Sequence, residues 1–112
     1  MKDCLFCKII KKELPSKIVY EDDNFFAFND INPVAPIHIL IIPKKHIPSV
    51  NSLTASDKEL IGELFLVAQK IARAEKATET GYRLTFNVGE NAGQTVEHLH
   101  LHLLGGKKLL WS

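Results

Sequence analysis

Apolar positions fall along the chain in short blocks whose period changes, and each change marks an element. Phe6, Ile9, Ile10 and Leu14 sit near helical spacing and predict a short helix from Phe6 to Leu14, closed by Pro15. Ile18 to Tyr20 and Phe25 to Phe28 read as strands. The turn residues Glu21, Asp22, Asp23 and Asn24 between them predict a hairpin. Asn29 to Pro36 is a loop punctuated by Pro33 and Pro36, and His38 to Ile42 is a strand closed by Pro43. Ser56-Asp57-Lys58-Glu59 has the form of a capping box and opens a long helix. In that helix Leu60, Leu64, Val67, Ile71 and Ala74 recur at steps of three or four, a stripe that reads as core packing. Ile61, Phe65, Ala68 and Ala72 widen the stripe, and Gly81 is the expected stop. Tyr82 to Val88 is a further strand, Gly89 to Gly93 a polar loop, and His98 to Leu104 the last strand before Gly105-Gly106. No repeat or linker divides the chain. The sum is an α+β fold: a five-stranded antiparallel sheet with one long and one short helix, the helices on one side.

Composition narrows the function. A chain of 112 residues, 46% hydrophobic and 24% charged, is expected to form one domain over 1–112. At this length roughly 65% of the unfolded surface is buried, enough for one core without staples. Fourteen basic against 13 acidic side chains leave a net charge of +1, a poor basis for binding nucleic acid, which needs clustered positive charge. The longest apolar run, Leu64 to Ala68, is far too short to span a membrane. Met1 to Cys4 does not begin an apolar leader, so a cytoplasmic location is expected.

Chemistry concentrates in two cysteines and five histidines. Cys4 and Cys7 are spaced C-x-x-C, which in a reducing compartment suggests metal binding or redox chemistry rather than a structural disulfide. A redox motif of that form sits at the end of a strand, and nothing strand-like precedes Cys4. The histidines are His38, His46, His98, His100 and His102. In the last strand His98, His100 and His102 alternate with Leu99, Leu101 and Leu103, so the imidazoles share one face and the leucines pack into the core. Alternate residues on one face stand about 6.5–7 Å apart, so the three rings span about 13 Å. That is too far for one metal ion to take all three, and the three are expected to divide the labour. A neutral imidazole can attack phosphorus, move a proton or bind a metal. Just upstream, Gly89 to Thr95 holds glycines that let backbone N–H groups approach an anion, while Gln94 and Thr95 add donors.

The segment Gly93-Gln94-Thr95-Val96-Glu97-His98-Leu99-His100-Leu101-His102-Leu103-Leu104-Gly105-Gly106 resembles the signature of the histidine-triad (HIT) nucleotide-binding proteins. It is most similar to the Hint branch, the purine nucleoside phosphoramidate hydrolases. The resemblance extends through Phe6 to Pro15, the Glu21-Asp22-Asp23 turn, Phe28 to Pro33, and Pro36 to His46 with its Pro-Lys-Lys-His. It implies that His100 is the nucleophile. His100 would attack the α-phosphorus of a nucleoside monophosphate joined to an amine and form a nucleotidyl-histidine that water then cleaves. His102 would contact the phosphate, and His38 would help with orientation and protons. Asp30 would hold the ribose hydroxyls, with Ile31, Phe6, Ile9 and Phe28 around the base and Asn87 near ribose and phosphate. Gly93, Gln94 and Thr95 would serve the phosphate; Thr95 stands where relatives often carry Ser.

The resemblance also implies a structural zinc on Cys4, Cys7, His46 and His98, as in the zinc-containing bacterial members. Vertebrate Hint enzymes lack the cysteine pair, so the metal would tie the N-terminal segment to the sheet rather than do the chemistry. Trp111 would reach toward the partner's site in a two-fold homodimer whose sheets join. The expected substrate is a purine nucleotide conjugate of AMP or GMP. Two alternatives stand beside hydrolysis of phosphoramidates. One is another activity of the family, on dinucleoside polyphosphates or in nucleotidyl transfer, though Leu104-Gly105-Gly106 follows the Hint pattern. The other is a non-catalytic nucleotide-binding or interaction protein.

Overall fold

The computed structural model describes residues 4–111. Strands β1 (Ile18–Glu21), β2 (Phe25–Asn29), β3 (Ile37–Pro43), β4 (Tyr82–Thr85) and β5 (Leu101–Gly105) form one sheet in the order β1-β2-β3-β5-β4. Every neighbouring pair is antiparallel. Helix α1 (Leu5–Ile10) precedes the sheet in sequence, and the long helix α2 (Lys58–Ala74) connects β3 to β4.

The two helices lie on opposite faces, not on one. Phe25, Ala27, Ile39, Ile41, Leu101 and Leu103 pack under α2, against Leu64, Val67, Ala68, Ile71 and Ala72. Phe26, Phe28, Leu40 and Ile42 point the other way and are covered by Phe6 and Ile9 of α1. The reason is legible in β2 and β3, which read Phe-Phe-Ala-Phe and Ile-Leu-Ile-Ile. Strands without polar alternation need both faces covered, a pattern usually met in parallel sheets. The histidines belong to the α1 face, since His102 pairs with Leu40 and His38 is two residues from Leu40 along β3.

Element ends depart from the periodicity in five places. Helix α1 stops at Ile10 because Lys12 takes a left-handed φ of 63°, three residues ahead of Pro15. The cap before α2 is Thr54 with Asp57, not Ser56 with Glu59: the Thr54 amide donates to Asp57 Oδ2 at 3.0 Å. The same carboxylate takes Lys45 Nζ at 2.7 Å, which holds the segment after β3 to the start of the helix. Helix α2 ends at Ala74, where Lys76 turns left-handed at φ 62°, well before Gly81. Finally, β4 is shorter than Tyr82 to Val88, and β5 begins at Leu101 rather than His98. The Leu99 amide donates instead to the Ile47 carbonyl at 2.6 Å, so His98 and Leu99 follow the loop after β3 rather than the sheet ladder.

The Gly105-Gly106 pair is not uniform. A Cβ on Gly105 would meet Tyr82 and Ala77 at ordinary contact distances of 3.5 and 3.6 Å. On Gly106 it would stand 2.9 Å from Pro36 Cβ, on a backbone with φ of +88°. We expect Gly106→Ala to cost on the order of 1–3 kcal/mol in urea unfolding, from left-handed strain and the proline clash together. Gly105→Ala should cost less.

Candidate functional site

Two groups of side chains assemble on the α1 face. The first joins the beginning of the chain to the loops beside the sheet. Cys4 is the N-cap of α1 and accepts the Cys7 amide on its sulfur at 3.4 Å, so the helix start sets both thiols side by side. Around them stand two rings. Cys4 Sγ is 3.4 Å and Cys7 Sγ 3.6 Å from His98 Nδ1, Cys7 Sγ is 3.4 Å from His46 Nδ1, and the two Nδ1 atoms are 3.2 Å apart. Ligand bonds of 2.0–2.1 Å to nitrogen and 2.3 Å to sulfur give tetrahedron edges of roughly 3.3–3.8 Å, so the four atoms stand close to where one ion would hold them. His98 is fully buried, and its Nε2–H donates to the Pro43 carbonyl at 2.8 Å. That bond fixes the proton on Nε2 and leaves Nδ1 bare toward the thiols, the outer-sphere arrangement of a ligating histidine. In the metal-free set, burial and the neighbouring Cys4 thiol push the Cys7 thiol up to about 11. The four residues could therefore hold a metal ion, with displacement of thiol protons.

The second group lines an open cleft of roughly 1110 Å³ between α1, the loop after β2 and the approach to β5. His100 Nδ1 lies 2.7 Å from the His98 carbonyl, which can only accept. A neutral His100 thus carries its proton on Nδ1, and Nε2 has a free lone pair. The Phe6 ring stands edge-on to His100 at 5.1 Å and 90°. Next to it, ring centroids 5.0 Å apart, is His102. The tautomers of the other rings follow in turn. The Val34 amide donates to His38 Nδ1 at 3.2 Å, so a neutral His38 holds its proton on Nε2. That N–H faces His102 Nδ1 at 3.0 Å and Asp30 Oδ2 at 3.3 Å. When it donates to His102, the His102 proton is left on Nε2, which stands 3.5 Å from Asn87 Nδ2; both atoms are then donors, so neither bonds the other and both are left to a ligand oxygen.

Burial sets the charge state of this group. Desolvation lowers His38, with Asp30 pulling weakly the other way. His102 is lowered to about 4, first by burial and then by repulsion from His100 and His38. A depressed histidine value means the neutral ring persists below the usual 6.5. In a two-dimensional NMR titration we expect the His102 ring signals to stay at their neutral positions until the pH nears 4. Titration near 6.5 would contradict the buried arrangement.

The positions singled out in the sequence divide in space. Phe6, Ile9, Phe28, Asp30, Ile31 and Asn87 line the cleft, as do Gly93, Thr95, His38, His100 and His102. Gln94 does not. Its amide donates to the carbonyls of Pro48 and Val96 and accepts the Gly89 amide, so its polar atoms are spent on folding the loop. Trp111 is 94% exposed and outside the cleft. Sequence reasoning missed Val34, whose role is a backbone amide and leaves no side-chain signal. It also missed the His98 carbonyl, the atom that fixes the His100 proton. Leu5 and Leu14 also line the cleft, and Leu5 lay just outside the stripe that predicted the first helix.

Comparison with known proteins agrees with this arrangement. A family model described as the HIT domain matches residues 11–109. The chain is 50% identical over 108 residues to the purine nucleoside phosphoramidase of Escherichia coli K12, covering 96% of this chain and 91% of that one. It is 51% identical over 110 residues to an uncharacterised HIT-like protein of Synechococcus elongatus, covering 98% and 96%. Among solved structures, a HIT family hydrolase from Legionella pneumophila matches with a TM-score of 0.95 at 52% identity, covering 97% of each chain. A histidine triad protein from Clostridium difficile matches with a TM-score of 0.96 at 46% identity, covering 100% of this chain and 97% of that one. With the sheet order, the alternating histidines and a family match over most of its length, this chain belongs to the HIT family of hydrolases.

Proposed function

We propose that the protein hydrolyses the P–N bond of purine nucleoside 5′-phosphoramidates through a nucleotidyl-histidine on His100. The observation that carries this reading is the bond from His100 Nδ1–H to the His98 carbonyl, which leaves Nε2 as the one free nucleophilic atom of a ring in the cleft wall. In the first step the Nε2 lone pair attacks the α-phosphorus, the P–N bond breaks, and the amine leaves with a proton taken from water in the open cleft. In the second, water attacks phosphorus and releases a proton to solvent, the bond to Nε2 breaks, Nε2 regains its lone pair, and the nucleoside monophosphate departs. Splitting the displacement in two replaces one poor attack by water with two easier steps. His102 offers its Nε2–H to the phosphoryl oxygens, and the His38 Nε2–H donated to His102 Nδ1 holds His102 in that tautomer. Asp30 accepts from the ribose hydroxyls, and Phe6, Ile9, Phe28 and Ile31 take the base. Phe6, Ile9 and Phe28 also belong to the smaller apolar core, so the slot is cut into packed structure.

In this reading the Cys4, Cys7, His46 and His98 set holds zinc, which contributes folding energy and no step of the reaction. The thiols suit a reducing cytoplasm, and no helix among the described residues is long and apolar enough to cross a membrane. The chain acts as one domain over 1–112. Two copies would join their sheets edge to edge, with Trp111 of each reaching the partner's cleft. The phosphoramidase name of the Escherichia coli relative supports the substrate class.

A steady-state assay tests it. We expect an AMP–tryptamine phosphoramidate to be cleaved with kcat/KM at least about 100-fold above that for a diadenosine polyphosphate, a gap of about 3 kcal/mol in transition-state binding. The reverse order would assign the chain to a polyphosphate-cleaving branch, and turnover of neither would leave a nucleotide-binding protein.

A further inference from the structure

The metal set and the nucleophile meet in one residue. His98 offers its ring Nδ1 to the cysteine pair, anchors its Nε2–H on the Pro43 carbonyl, and turns its own backbone carbonyl to His100 Nδ1. The next link is as short. The helix that begins at Cys4 and contains Cys7 carries Phe6, whose ring touches both His98, at 6.0 Å, and His100, at 5.1 Å. Both restraints on the nucleophilic ring therefore originate in residues of the metal set or beside them.

We propose that His98 is a positioning residue for the reaction, and that metal occupancy sets the tautomer and orientation of His100 through the His98 carbonyl and Phe6. The inference rests on the nucleophilic role of His100 given above. When Nε2 bonds to phosphorus, the ring becomes cationic with its proton still on Nδ1. The hydrogen bond to the His98 carbonyl then becomes charge-assisted and roughly doubles in strength. An interaction that strengthens on the way to the intermediate acts on kcat, not on substrate binding. With the ion gone, His98 loses its anchor at Nδ1, its carbonyl is freer to move, and His100 can place its proton on Nε2, the unreactive form. Asp30 and the loop around Gly93 contain no ligand of the metal set, so the ribose and phosphate contacts should persist, while Phe6 and Ile9, carried on the metal-held helix, make base binding the part of affinity that falls.

The test uses the intact wild-type protein with zinc, the same protein after exhaustive chelation, and the chelated protein with zinc restored. Four quantities are read on each: circular dichroism, AMP affinity, kcat with KM, and the histidine ¹⁵N spectrum. The expected result is retained helix signal, kcat lowered at least tenfold, and AMP affinity lowered by a clearly smaller factor than kcat. The His100 Nδ1–H signature should give way to mixed tautomers, with full recovery on adding zinc. Cys4→Ser, titrated with zinc, should show kcat following occupancy while the dichroism stays constant. The proposal is overturned if chelated, folded protein keeps kcat within twofold and an unchanged His100 signature. It is equally overturned if the dichroism collapses at the same chelator concentration as kcat in both proteins, for then the ion holds only the fold. Should the zinc-loaded protein fail to turn over any phosphoramidate, the hydrolase reading falls, while the spectrum still reports whether the metal sets the tautomer.

Discussion

Replacing His100 by alanine is expected to lower kcat/KM for an AMP phosphoramidate by at least about 10⁴-fold, since removing the proposed covalent nucleophile leaves only binding and electrostatic assistance. The fold should survive. His100 lies ahead of the β5 ladder, its Nδ1–H bonds only to a neighbouring carbonyl, and the residue, 8% exposed, stands in the cleft wall. Truncation therefore enlarges the cleft rather than opening a sealed cavity, and AMP should bind within a few-fold of wild type. If water attacked phosphorus directly, with His100 only polarising the phosphoryl group, the loss would fall in the general acid–base range of roughly 10²–10⁴-fold, so a loss near 10² is the discriminating outcome. A loss that small, measured by single-turnover kinetics with binding unchanged, rules out the covalent intermediate. His102→Ala should fall between the two values, because its Nε2–H assists but forms no bond to phosphorus.

The sequence showed the histidine-bearing strand more clearly than it showed where the strand begins. Strict alternation of histidine and leucine placed Leu99, Leu101 and Leu103 in the core, where they are buried to 1% or less. The same alternation predicted a ladder from His98, yet the ladder starts at Leu101 because the Leu99 amide is claimed by Ile47. That choice depends on a contact 52 residues away and has no local signal. That the three rings would not share one ion was legible from their spread over about 13 Å, and in the structure His98 faces the cysteines while His100 and His102 line the cleft. Which ring joins the cysteines was not legible, and came only from the family resemblance. The second covered face of the sheet was written in β2 and β3, whose unbroken apolar runs contradict helices on one side. Helix ends were the least legible, because Lys12 and Lys76 adopt left-handed backbone where a proline or glycine was expected to act. Gln94 shows the limit of reading side chains by donor count: its amide is consumed by the backbone of its own loop and by Pro48.

The second large effect concerns stability. The double variant Cys4→Ser, Cys7→Ser should bind zinc far below one ion per chain in elemental analysis, and its thermal midpoint should fall by about 10 °C or more. An ion present at 100 times its dissociation constant stabilises the fold by about 2.7 kcal/mol, and in a domain of this size 1 kcal/mol is worth about 4 °C or more. The loss should be uneven along the chain. The sheet and α2 share a core of fourteen buried residues, whereas α1 covers the other face with only Phe6 and Ile9 buried. Hydrogen exchange should accordingly rise first in α1 and in the loop carrying His46, with the amides of β2 and β3 protected until global unfolding. Acid should mimic the variant. Without metal the Cys7 thiol sits at about 11, far above neutral, so zinc must displace its proton and binding weakens about tenfold for each unit the pH falls, from this residue alone. The sign follows from that direction: protons compete with the ion, so the zinc dissociation constant measured directly should be at least about 100-fold higher at pH 6 than at pH 8. Equal stability of wild type and double variant, at equal and stoichiometric zinc, would mean that the four converging side chains do not form the ion's site.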